Sequence, residues 1–355
     1  MLSVSLLCLA LNTSPDLLEA QRRHASNARA AFSAAVQDPI LKDPLHNPLE
    51  LAALIAAEER AADCMVMPRH ILERISSDIE QSVAPAAKRV SLSRMVGSEV
   101  GSESIAVAVS SALFGNSGAP DDVQVSEEDE RGFFFSGSLS VDYYDPRNSF
   151  LDSVLERKQG IPISLSLIAA EACRSMGCPM VGLNAPAHLL LAPADGSSFV
   201  VDCFNGGVIM SEDEAASFIA PRLGRAVASA AASEQLEAGR TALKQLRASP
   251  MTALQWGARM LRNLRGIHTN SGDVVRLLGV CDRMRLIGAH SRLAVSDDEV
   301  RECAAQVALC VYALRWTQRR NEARVLLRGL RRSSEDDEES ARIDDLLSQP
   351  WFKET

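Results

Sequence analysis

Apolar residues recur at three- and four-residue intervals over most of the chain, the spacing of one face of an α-helix. Ser14–Phe32 alternates charged and alanine-rich positions at that spacing. Pro39, Pro44 and Pro48 punctuate a link, and Pro48 suits the first turn of a helix with the stripe Leu49, Leu51, Ala52, Leu54 and Ile55. Ile71, Leu72, Ile75 and Ile79 predict another helix over about residues 69–83, and Ile105–Leu113 predicts one more. After Met251 the pattern becomes helical hairpins. One helix carries Leu254, Met260, Leu261 and Leu264, Thr269–Asp273 breaks it, and a second carries Val274, Leu277, Leu278 and Val280. A further pair, with Val307, Leu309, Val311 and Leu314 before and Ala323, Val325 and Leu326 after, joins near Thr317–Asn321.

The central stretch has a different rhythm. Asp145-Pro146 predicts a turn, and Asn148 or Ser149 can cap a helix through Leu151, Val154 and Leu155 that ends at Gly160. Ile161-Pro162-Ile163 is either extended or a first helical turn, and Ser164 opens a long apolar helix over Leu165–Met176. Short apolar strands are expected at Pro179–Leu183 and Leu189–Ala192, with a hairpin turn at Asp195-Gly196-Ser197 and a return strand over Ser198–Cys203. On this layout His188 and Asp202 lie on neighbouring antiparallel strands, nearly opposite one another.

Composition changes the picture little. The 355 residues are 46% hydrophobic, 23% charged and only 5% aromatic, which suits a mainly helical chain of two or three packed units. A net charge of −9 argues against a nucleic-acid surface. The arginines at Arg319, Arg320, Arg324, Arg328, Arg331 and Arg332 are followed directly by the acidic run Glu335–Glu339, as on a solvated, internally paired helix face. Gly115–Arg131 is rich in glycine, serine and acid and reads as a surface insertion. Eight scattered cysteines form no CxxC pair, so buried thiols in a reducing compartment are expected. Leu2–Leu11 is apolar, lacks a basic flank and is too short to span a bilayer; it fits a weak signal segment, a core helix or a mis-assigned start. A soluble, intracellular protein is expected, in the cytoplasm or an organelle, with no membrane partner.

The candidate chemistry is Ser164, His188 and Asp202. A helix start offers free N–H groups and partial positive charge, which stabilise an anionic nucleophile or oxyanion. Cysteine gains much from that position; a serine hydroxyl gains less, because it needs a strong adjacent base. Ser164 therefore reads either as a helix-capping hydroxyl or as a nucleophile. A histidine facing an aspartate is oriented and made more basic, which favours an active or once-active site. Cys203 is a poor substitute nucleophile, because strand alternation turns it away from the Asp202 face. No metal set or nucleotide loop is present, and no cofactor is implied: GNSG at Gly115–Gly118 is too short and too acidic in context for a phosphate loop.

The order nucleophile, histidine, acid on helix, strand, strand is that of papain-like and transglutaminase folds. YYDPRNSFLDSVLERKQGIPISLSLIAAEACRSMGCPMVGLNAPAHLLL followed by VVDCFNGG resembles the transglutaminase-like core of the SirB family, bacterial proteins with relatives in plants and algae. It is also similar to the middle of an F-box protein of animals. The resemblance is specific over Tyr143–Met210 and extends, more weakly, over most of Pro48–Leu347. It implies an α+β, mainly helical fold in which a helix packs on a small antiparallel sheet, flanked by N-terminal helices and C-terminal tetratricopeptide-like hairpins. The expected divisions are an N-terminal extension (1–47), helices (48–114), an acidic insertion (115–131), the core (132–225), a link (226–250) and the hairpins (251–348). Family members typically keep the IPxSL-type block without the cysteine. Carried over by position, Ser164 approximates the nucleophile site, His188 the histidine and Asp202 the acid. Ala187 and Leu189 stand where glycine and phenylalanine are common, and Cys203 where proline is common.

Three readings follow: a non-catalytic or weakly active module that binds a protein or peptide partner, a hydrolase or acyltransferase using Ser164, His188 and Asp202 on an amide or ester, and a regulatory role like that implied for the bacterial relatives. The missing cysteine favours the first.

Overall fold

A computed structural model describes residues 15–61, 67–115, 134–138 and 143–353. Leu2–Leu11 and most of the acidic insertion lie outside the described residues. Along the chain run α1 (Pro15–Ala35), α2 (Leu49–Glu59), α3 (Pro68–Met95), α4 (Ser102–Phe114) and the two-residue strand β1 (Ser136–Gly137). There follow α5 (Leu151–Arg157), β2 (Gln159–Gly160), α6 (Pro162–Ser175), β3 (Met180–Leu183), β4 (Leu190–Pro193), β5 (Phe199–Asp202) and β6 (Val208–Ser211). The rest is helical: α7 (Glu212–Ile219), α8 (Ala232–Ala248), α9 (Ala253–Ser271), α10 (Val274–His290), α11 (Asp297–Ala313), α12 (Arg320–Ser333) and α13 (Asp337–Ser348). The fold is thus mainly helical with one small antiparallel sheet, the class the sequence predicts. Among the described residues no helix is long and apolar enough to cross a membrane.

The chain divides into two compact units. The core unit comprises Pro39–Ala53 and Pro68–Trp256; the terminal unit comprises Met1–Asp38, Leu54–Met67 and Gly257–Thr355.

In the core unit, β3–β4–β5–β6 form a meander in sequence order, each pair antiparallel. All four residues of β3, β4 and β5 are buried, so both faces of those strands are covered and their apolar runs are continuous. Val181, Leu183, Leu190, Ala192 and Val200 pack on Ala215 and Ile219 of α7 and Leu243 of α8. Helix α6 packs on β3 and β4, and α3, α4 and α5 pack on α6. Two glycines permit close approaches. A Cβ on Gly239 would stand 2.1 Å from the Ala216 carbonyl oxygen, and one on Gly182 would stand 2.5 Å from the Trp256 indole.

In the terminal unit, α10 to α13 pack in succession, each on the next. Their cores follow the predicted stripes in part: Leu278, Val280, Val307, Val311 and Ala323 are buried, whereas Leu309 and Val325, placed on the same stripes, are exposed. Charges are buried there as well. Arg283 of α10 is 0% exposed and pairs with Glu59 of α2, whose other oxygen meets His268 Nε2 of α9 at 2.7 Å. Glu58 accepts from Arg29 Nε of α1 at 2.9 Å. Asp282 accepts from Arg29 at 2.6 Å and from both terminal nitrogens of Arg319 at 2.7 and 2.9 Å. A buried charge is tolerated only when paired and hydrogen-bonded in this way.

Candidate functional site

The turn that the DPRNS segment predicts is present. Pro146–Ser149 forms a single 3-10 turn capped by Asp145, whose carboxylate accepts the Arg147 N–H at 2.9 Å. Burial alone would raise the Asp145 carboxyl, but Arg147 and Arg157 hold it below the ordinary aspartate value. Arg157 also donates to the Asn148 side chain at 3.1 Å. This clamp fixes the Asn148 backbone, and the Asn148 carbonyl receives Ser164.

Helix α6 starts at Pro162, so of the two expectations for Ile161-Pro162-Ile163 the helical turn holds, and Ser164 lies inside that first turn. Its hydroxyl donates to the Asn148 carbonyl at 2.7 Å and accepts the Ile161 N–H at 3.1 Å. Ser164 is fully buried. The hydroxyl therefore satisfies one of the N–H groups orphaned at a helix start and ties α6 to the preceding turn.

Gly160 does not end α5, as the sequence suggested. The left-handed C-cap is Lys158, with φ 56°, and Gly160 pairs with Gly137 in the parallel β1–β2 ladder. Glycine is needed at 160 for space: a Cβ would stand 2.8 Å from Ser164 Oγ.

His188 precedes β4 in the turn after β3, instead of lying within a strand. Leu191 pairs with Val201, so that register places His188 beyond the Asp202 position. The turn corrects the offset. Ala187 adopts φ 55°, and the His188 N–H bonds to the Ala185 carbonyl at 3.1 Å. The ring is thereby aimed back, and Nε2 meets Asp202 Oδ1 at 2.8 Å. That oxygen also accepts the N–H groups of Phe204 at 3.1 Å and Asn205 at 3.2 Å. Three donors thus orient one carboxylate, and a neutral imidazole donating through Nε2 keeps its lone pair on Nδ1.

Aromatic rings surround the imidazole. Phe218 of α7 stands edge-on at 5.1 Å and Phe204 at 6.2 Å, and Tyr143 packs on Phe204 at 6.3 Å. Tyr144, 65% exposed, continues the strip at 5.4 Å from Tyr143, and Arg222 stacks over Phe218 at 3.7 Å. Tyr143, Phe204 and Phe218 lie far apart in the sequence, so only the fold brings these rings together around His188.

Of the three sequence-predicted residues, His188 and Asp202 are joined directly. Among the described residues, no hydrogen bond links Ser164 to either. Phe204 lies against His188 and against Gly137 of β1, and Gly160 of the paired β2 lies against Ser164. Cys203 faces α6, beside Ser166 and Cys173. Burial pushes its thiol up to about 12, so it offers no thiolate near neutral pH. Among the described residues, no group of three or more His, Cys, Asp and Glu is placed to hold a metal ion.

Comparison with known proteins agrees with this architecture. Residues 99–262 match the model of the transglutaminase-like superfamily, so the chain carries a domain of that superfamily. A UPF0162 protein of Xylella fastidiosa is 35% identical over 144 residues, which is 40% of this chain and 47% of that protein. A UPF0162 protein of Pseudomonas aeruginosa is 31% identical over 156 residues, 44% of this chain and 51% of its own. Mouse F-box only protein 21 is 40% identical over 57 residues, 16% of this chain and 9% of that one. The chain thus spans about half the length of these bacterial relatives. No solved structure matches it.

Proposed function

We propose that the transglutaminase-like domain over residues 99–262 is a SirB-type module that binds a protein or peptide partner and has a regulatory role, with little or no catalysis. One observation carries the reading: the Ser164 hydroxyl, buried at the nucleophile position, is committed to the Asn148 carbonyl and the Ile161 N–H. Attack on a carbonyl needs an exposed oxygen with a base within hydrogen-bond reach. The aromatic strip from Tyr144 through Phe204 to Phe218 supports binding, because rings supply contact area at low entropic cost. The successive helices α10 to α13 support a tetratricopeptide-like tail that assists. Buried free thiols at Cys173, Cys178, Cys203, Cys281, Cys303 and Cys310 fit a soluble protein in a reducing, intracellular compartment.

The competing reading is a hydrolase or acyltransferase that uses Ser164, His188 and Asp202. The formed His188–Asp202 hydrogen bond favours it, since such a pair orients a general base. A peptide array probed with the full chain separates the two. The binding reading expects Phe204→Ala to lose the bound peptides while Ser164→Ala keeps them. Cleavage or acyl transfer on those peptides that disappears in Ser164→Ala would overturn it.

A further inference from the structure

The aromatic strip beside His188 carries arginine at both ends. At one end, exposed Tyr144 adjoins Asp145 in the chain, and the single Asp145 carboxylate serves two guanidinium groups, Arg147 at 2.6 Å and Arg157 at 3.7 Å. At the other end, exposed Arg222 stacks over the Phe218 ring, 3.7 Å from its centroid, and donates to the Phe218 carbonyl. Arg74, Arg174, Arg240 and Arg247 of the same unit each pair with a carboxylate. Among the described residues, Arg222 pairs with none.

The ring and the carbonyl fix the guanidinium plane, so its outer edge needs little further ordering to form a two-pronged bond with a carboxylate. Between the ends, Tyr143, Phe204 and Phe218 are half-buried, which leaves part of each ring open to an apolar side chain. Asp202 does not offset the arginines at the surface: it is 1% exposed, and its Oδ1 accepts from His188, Phe204 and Asn205. On a chain of net charge −9, open rings with uncompensated arginine at either end form a face complementary to negative charge.

We propose that this strip takes an acidic peptide, one that seats a large apolar side chain on Phe204 and Phe218 and sets an Asp or Glu carboxylate on Arg222. The proposal rests on the binding reading above and deepens it by naming the chemistry of the partner. Arg222 supplies two parallel N–H···O bonds, and Phe218 holds the guanidinium in place for them. The excess of guanidinium over carboxylate beside Tyr144 attracts a second acidic residue. An uncharged peptide makes the ring contacts without the charge contacts, and a basic one meets repulsion at both ends.

The test measures binding of the full chain to an array of short amidated peptides, each with one Trp or Leu beside Glu or Asp residues. Matched counterparts carry Gln or Asn, or Lys, in place of the acids. At about 50 mM salt the acidic members should bind at least about tenfold more tightly than their amide counterparts, and that advantage should shrink at about 500 mM. Arg222→Gln, a change at the surface, should keep the circular dichroism spectrum and reduce the advantage to about twofold or less. Arg222→Lys should restore only part of it, because an ammonium cannot form the two-pronged bond. Acidic and amide peptides bound alike, a preference for the Lys set, or an acid preference that survives Arg222→Gln would overturn this proposal and leave the binding reading standing. Failure of every set to bind would overturn both.

Discussion

Ala187 carries a φ of 55°, in the left-handed region where a Cβ crowds the backbone, and it does so immediately before His188. An L-residue held there is strained by roughly 1–2 kcal/mol, and the turn tolerates it because it aims the imidazole at Asp202. Ala187→Gly should therefore stabilise the protein by about 0.5–1 kcal/mol in a urea titration while keeping the His188–Asp202 bond. A loss of stability would mean that the turn is not strained. The departure was visible in the sequence as an alanine where the SirB resemblance leads one to expect glycine. Its meaning was not, because φ is set by the register of β3 and β4. His188 and Asp202 were legible as a pair from residue type and strand order. Their aromatic surroundings were missed because Tyr143, Phe204 and Phe218 come from three separate elements.

At the scale of elements, the apolar stripes forecast α2, α4, α6 and α9 to α12, and the hairpin over β4 and β5; they place α3 but end it too early, near Val83, whereas the helix runs through Pro85 to Met95. The start of α6 was legible only as two alternatives, an extended lead into Ser164 or a first turn at Pro162. A proline at the first turn and a serine two residues later fit either a capping serine or an entry point, and only the Asn148 carbonyl decides between them. Ser164→Ala would remove the hydroxyl's buried bonds to that carbonyl and to the Ile161 N–H, and should destabilise the protein by about 1–3 kcal/mol. The midpoint of chemical denaturation measures this. Nothing in the local pattern marks the glutamates that end α2 as buried, yet Glu59 is buried against Arg283 and His268. Burial alone would raise the Glu59 carboxyl, but the Arg283 charge and the His268 and Arg283 hydrogen bonds bring it below the ordinary glutamate value. A depressed folded-state pKa means stability that is present above the unfolded value, near 4.3, and lost as pH falls through the folded one. Removing one partner of such a pair, as in Arg283→Met, should cost about 3–5 kcal/mol. Stability measured from pH 7 down to pH 3 should also fall less steeply in Glu59→Gln than in the natural chain. An equally steep acid loss in Glu59→Gln would assign the pH dependence to other carboxylates.

At the scale of the whole molecule, the linear order of the chain hides how it is grouped. The terminal unit draws together α1, the end of α2 and the last hundred residues, through Arg29, Glu58, Glu59, Asp282 and Arg283. Charged positions of this kind look like solvated faces in a sequence, since nothing local marks them as buried. The core unit was more readable, because its motifs are contiguous and its strands are short and apolar. What the core does turns on one hydroxyl. The most direct measurement is labelling of the full chain with a serine-directed fluorophosphonate, followed by peptide mapping. The account predicts no adduct at Ser164, in the natural chain and in His188→Ala alike, because the oxygen is buried and already bonded. A Ser164 adduct that forms in the natural chain and vanishes in His188→Ala would contradict it and establish a working nucleophile.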